Sequence, residues 1–116
     1  MKLNLSANLD LEKFMNPELA LKAVEKVVYY HTADMEKRAV RKVPVATGHL
    51  KRSIGLEVSA ADLKGTVGAS AEYAGYVEKG TRFMSPRPYL EPALNEVRPG
   101  FIEDMERIAA AGGKDD

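Results

Sequence analysis

Few side chains in this 116-residue chain are of types that do chemistry, and none is spaced as a known reaction needs. There are two histidines, His31 and His49, and no cysteine. Neither histidine has a second histidine or a cysteine three or four positions away, the spacing that puts two ligands on one helix face. His31 falls on an apolar helix face and reads as a packed, hydrogen-bonded histidine. His49 follows Gly48 beside Lys51 and Arg52 and reads as exposed. Glu72 and Glu78 could pair as the two carboxylates of a glycosidase, but nothing fixes their separation. Ser53 and Ser85 have no base at a recognisable spacing and no nucleophile elbow around them. Gly65 and Gly68 lack a phosphate-loop lysine. The expectation is a protein that is not an enzyme and that uses no cofactor and no metal.

Binding is the better-supported class. Residues 73–89 hold three of the five tyrosines (Tyr73, Tyr76, Tyr89) with Glu78, Gly80, Thr81, Arg82, Phe83, Met84 and Arg87, and end in Pro86-Arg87-Pro88. Tyr and Arg are enriched where proteins meet. Tyr73 and Tyr76 fit either a roof over a small core or a contact surface, whereas Phe83 and Met84 in a loop point to contact. A second candidate loop holds Thr47 and Gly48, with Gly48 expected in a conformation that other residues avoid. Lys51 and Arg52 follow it. With Lys37, Arg38, Arg41 and Lys42 they make a basic stripe that a small nucleic-acid-binding module could use. Cations at a helix C-terminus are also what the macrodipole favours, and no aromatic residues interleave with them.

Several elements must position these residues. Asn16-Pro17-Glu18 opens a helix, and Ala20, Val24, Val27, Val28, His31, Met35 and Ala39 trace its apolar face until Pro44 forbids more. Before it, Leu3, Leu5, Leu9 and Leu11 are evenly spaced, as in a short strand or extended arm over residues 1–15. Ile54, Leu56 and Val58 alternate, and residues 65–69 read as the returning strand of a hairpin. Residues 73–78 suit a short helix or an extended start. Leu90, Ala93, Leu94 and Val97 are helical in spacing, and Pro99-Gly100 either kinks that helix or splits it in two. Residues 112–116 read as a flexible polar tail. The fold class is therefore α+β: one domain over 1–116, with a long N-terminal helix on a small antiparallel sheet and a C-terminal helix.

Composition agrees. No apolar run approaches the roughly 20 residues that span a bilayer, and Met1 to Ser6 lacks the apolar stretch of a secretory signal. Seventeen basic residues balance seventeen acidic ones, unlike a strongly basic nucleic-acid binder. Residues 1–58 carry 10 basic and 7 acidic side chains (net +3), and residues 59–116 carry 7 and 10 (net −3). Opposed patches of this kind would help set the register of a head-to-tail assembly, which high salt would then weaken.

Three blocks carry a resemblance. Val43-Pro44-Val45-Ala46-Thr47-Gly48-His49-Leu50-Lys51-Arg52-Ser53-Ile54 resembles "(A/V)PvdTGxLrxSI", and Tyr73 to Thr81 is similar to "YAxyvExGT". Pro86 to Leu94 is similar to "aRPFLxPAl". These belong, in this order, to the Hong Kong 97-type, gene-product-ten-like family of phage tail completion or head–tail joining proteins. Ala46 stands where an acidic residue is common, and Tyr89 replaces a usual Phe. The resemblance implies a virion structural protein, made in the bacterial cytoplasm and sitting at the tail or neck. Such proteins typically form a sixfold ring with copies of themselves. Their other partners are a head-connector or head-closure protein and the tail tube protein, with no membrane and no specific nucleic acid. A tail terminator is the neighbouring role.

Overall fold

The computed structural model describes residues 1–44 and 48–112, and its longest element, α1 (Pro17–Lys42), begins where Asn16 and Pro17 require. The Asn16 side chain accepts a hydrogen bond from the Leu19 N–H (3.1 Å), one of the donors that a helix start leaves unpaired. Ala20, Val24, Val28, His31, Met35 and Ala39 are buried along the expected face, with Val27 half-buried at its margin. Val43 is extended (φ −66°, ψ 133°), the conformation that Pro44 imposes on its predecessor.

A three-stranded antiparallel sheet lies against this helix. β2 (Ile54–Ser59) and β3 (Lys64–Ala69) form the expected hairpin, and β1 (Lys2–Ser6) pairs with the other edge of β3. Leu3, Val67 and Leu56 stand in register across the inner face. Of the short strand or extended arm that the leucine spacing allows, the strand forms over Lys2–Ser6, and Leu11–Lys13 is a 3₁₀ turn capped by Asp10. Leu9 and Leu11 still pack on the core. Gly65 marks the closest approach of the layers, since a Cβ there would lie 1.7 Å from Thr32 Oγ1 of α1.

Two short helices precede the last element. The loop expectation fails at Gly48, which begins α2 (Gly48–Arg52); left-handed φ among the described residues occurs at Gly80 (76°) and Leu63 (49°). Gly48 thus serves as an ordinary helical residue. Thr47 lies outside the described residues, as does the expected tail from Gly113 onward. Residues 74–79 form α3 (Ala74–Lys79).

α4 (Leu90–Gly112) runs unbroken through Pro99-Gly100, so the helix is not split. Proline there removes a bond to the Asn95 carbonyl, but Asn95 and Pro99 are both exposed, where water can satisfy it. Leu94, Val97, Phe101 and Met105 keep one buried face across the proline. α1 and α4 are antiparallel: Arg38 and Lys42 reach Glu96 near one end, and His31 meets Asp104 nearer the other. The molecule measures 60 × 21 × 20 Å, and its 16.6 Å radius of gyration exceeds the roughly 13 Å of a compact chain near this length.

Candidate functional site

α3 has Ala74, Val77 and Glu78 on its inner side, the i, i+3, i+4 spacing of one helix face. Glu78 is 3% exposed, and its carboxylate accepts three successive backbone N–H groups. Oε1 takes those of Tyr89 (3.0 Å) and Leu90 (2.8 Å), and Oε2 that of Glu91 (3.0 Å). These donors open α4 and have no partner within it, and a negative charge complements that end of the dipole. Glu78 was expected at a contact surface; the structure instead makes it the interior cap of α4. Tyr89 is fully buried, and its hydroxyl donates to the Ala74 carbonyl (3.1 Å). Burial pushes the Tyr89 phenol up to about 12, with the Glu78 carboxylate adding to the shift. The Arg87 N–H donates to the Val77 carbonyl (2.8 Å), closing the junction.

Ser53 of the first motif block makes a similar clip to the segment just before the second. Its hydroxyl donates to the Leu50 carbonyl (2.8 Å) and accepts from the Ala71 N–H (3.2 Å), and its carbonyl accepts from Ser70 (3.2 Å). Much of the motif signature is therefore internal bonding. What it leaves outside is the candidate surface.

Gly80 ends α3, and from there the chain leaves the body. Its φ of 76° and ψ of 177° suit glycine alone, and a Cβ would meet Pro86 N at 2.7 Å and the Met84 carbonyl at 2.8 Å. Thr81 and Met84 exchange backbone hydrogen bonds (2.8 and 3.2 Å), and Thr81 Oγ1 accepts from the Phe83 N–H (3.1 Å). The result is a tight turn with Arg82 and Phe83 at its tip, the guanidinium 4.8 Å over the ring centroid. Every residue from 81 to 88 is exposed, Phe83 by 84%. Tyr76 is also exposed, whereas Tyr73 is half-buried against the core, so the two tyrosines divide between the readings open to them.

Gly48 is half-buried on α2, with Lys51 and Arg52 exposed beside it. The basic stripe is partly neutralised within the protomer. Arg38 bonds Asp34 (3.1 Å) and Glu96 (2.9 Å), and Lys42 pairs with the same Glu96 (2.5 Å). Those bonds raise Arg38 above its usual range, and those from Lys42 and Arg38 lower Glu96. Lys37 and Arg41 remain exposed. On the acidic side, Arg107 binds Glu103 and Asp104 of its own half, so the Lys and Arg pairing between the halves rests on Glu96 with Arg38 and Lys42.

Both histidines sit where expected: His49 is exposed, and His31 is packed. His31 Nε2 lies 2.7 Å from Asp104 Oδ2, and this bond, ahead of Arg107, holds the Asp104 carboxyl below its usual range. Gly100 admits the imidazole, since a Cβ would lie 3.2 Å from His31 Cε1. No group of three His, Cys, Asp or Glu side chains among the described residues could hold a metal ion. No described helix is long and apolar enough to cross a membrane.

Residues 8–80 match the model of the family described as "Bacteriophage HK97-gp10, putative tail-component". The match takes in α1, α2, the β2–β3 hairpin and α3, hence nearly all of the first two motif blocks. The third block lies beyond it but is bonded to the second through Glu78. No curated protein and no solved structure matches the chain. With more than half of its length matched, and in the region whose motifs clip the fold together, the chain belongs to the family of HK97-gp10 phage tail components.

Proposed function

We propose that this tail component is a completion or head–tail joining subunit that works by assembling as a ring at the head-proximal end of a long phage tail. The observation that carries the reading is the Thr81–Met84 turn, which holds Phe83 84% exposed on a base fixed by Gly80 and Glu78. A large aromatic on a rigid, exposed turn is the kind of anchor that protein interfaces use. Tyr76, Thr81, Arg82, Met84 and Arg87 complete the surface, with Lys51 and Arg52 on α2 as a second exposed patch. Its partners would be further copies of itself in a hexameric ring, the head-connector or head-closure protein, and the tail tube. The protein would act by contact, without cofactor or catalysis, in the virion. A terminator role differs only in which neighbour is met.

Mass measurement of the purified protein and of intact virions tests this. The expected result is a self-associating chain present in virions at a fixed, ring-like copy number; a strict monomer missing from virions overturns it. The nucleic-acid reading is less well supported, because Arg38 and Lys42 are already engaged by Glu96. Titration with DNA at two salt concentrations should show none of the steep salt dependence that phosphate binding brings.

A further inference from the structure

Two apolar features lie at opposite ends of the α1–α4 pair. One is the Phe83 turn, which leads into α4. The other is a groove of about 360 Å³ where the start of α1 meets the end of α4, lined by Phe14, Met15, Leu19, Ala20, Ile108 and Ala111. Leu90 and Ile108 are 18 positions apart on α4, so roughly 27 Å of helix at ~1.5 Å per residue separates the two ends. We propose that Phe83 and Met84 of one copy of this chain seat in the groove of the next. This rests on the assembly reading above and names its contact.

Size, exposure and charge each support the match. An apolar cavity of roughly 150 Å³ takes a benzene ring. The larger volume here leaves room for a phenyl ring and a methionine side chain. Both sides hold apolar groups in water: Phe83 is 84% exposed, and the groove walls Met15 and Leu19 are 72% and 63% exposed. Residues 79–88 carry Lys79, Arg82 and Arg87 with no acidic residue. Residues 10–19, at the groove, carry Asp10, Glu12 and Glu18 against Lys13, which lies 3.9 Å from Asp10. Basic turn and acidic groove would draw together and orient one another. Because the two surfaces differ, the contact is heterologous, and repeating it closes a ring when the rotation allows.

Two variants at exposed positions test the contact without touching the core: Phe83→Asp spoils the turn and Leu19→Glu spoils the groove. Native mass spectrometry and sedimentation of each, alone and mixed, supply the readout, with thermal melts confirming that both fold. The expected result is self-association of the wild type, weakened roughly thirtyfold or more in each variant, as for an interface hot spot. An equimolar mixture should form a one-to-one heterodimer, since one intact turn and one intact groove remain. Variants that assemble like the wild type overturn the contact while leaving the ring reading intact. A mixture that stays monomeric overturns it too, as does a wild type that is monomeric at every concentration; virion mass still judges the ring reading separately. A chain ending at Gly112 that associates where the full chain does not would assign the groove to residues 113–116 of the same molecule, which also overturns it.

Discussion

Residues 73–80 with 89–91, and residues 81–88 between them, are neighbours in one sequence cluster, yet they solve opposite problems. In the first region polar groups turn inward: a buried carboxylate, a buried phenol and three backbone donors satisfy one another. In the second, the turn bonds through its own backbone and the Thr81 hydroxyl, the Arg87 N–H ties the segment back to Val77, and the side chains face water. The difference teaches that a shared motif need not mean a shared role. The inward region fixes where the turn stands; the outward region offers what it carries.

That contrast can be broken at several points. Glu78→Ala should have the largest effect, lowering stability by about 4 kcal/mol, since several charge-assisted bonds are lost and buried donors are left unpaired. Urea denaturation measures it, and a loss under 1 kcal/mol would show the cap to be incidental. Gly80→Ala should follow at about 3 kcal/mol, combining a glycine-only backbone conformation with a Cβ 2.7 Å from Pro86 N. Crowding relieved by a small loop shift would appear as a much smaller change.

Acid should act next, away from the junction. Glu96 and Asp104 have folded pKa values below their unfolded ones, so they stabilise the fold above about pH 4 and lose that contribution as pH falls through the folded values. Both are substantially exposed, so the effect is small. Thermal melts of Glu96→Gln should show a shallower fall below about pH 4 than the wild type; coincident curves would remove the Arg38–Glu96–Lys42 group from the account. Smallest of all, Phe83→Ser should leave stability within about 0.5 kcal/mol, as for a surface position. A larger loss would mean that the turn supports the fold and is not simply presented by it.

Local rules made part of this legible. Asn16-Pro17 and Pro44 bound α1 because capping and proline sterics act within a few residues. The hairpin follows from alternation, and the exposed loop from its own glycine and prolines. Glu78 reads as a contact residue from its neighbours in sequence, although the i, i+3, i+4 spacing with Ala74 and Val77 already marks the inner face of α3. The unbroken α4 was also readable: Leu94, Val97, Phe101 and Met105 hold their phase across Pro99, which a split would not require. Other features had no local signal. His31–Asp104 joins residues 73 positions apart, and the groove at Leu19 and Ile108 exists only once two helices pack.

The pairing of β1 with β3 has a kinetic side. Leu3 and Val67 are in register although 64 positions separate them, so β1 cannot join the sheet until β3 exists. At about 5 to 20 residues per second, translation supplies the intervening chain over several seconds. α1, whose helical backbone bonds are all local, can form on a far shorter timescale. Through that interval β1 is an unpaired edge carrying Leu3 and Leu5, the type of segment that associates with other chains before it finds its own. On the function proposed above, the order of these events would help separate assembly of finished subunits from premature entanglement of unfinished ones.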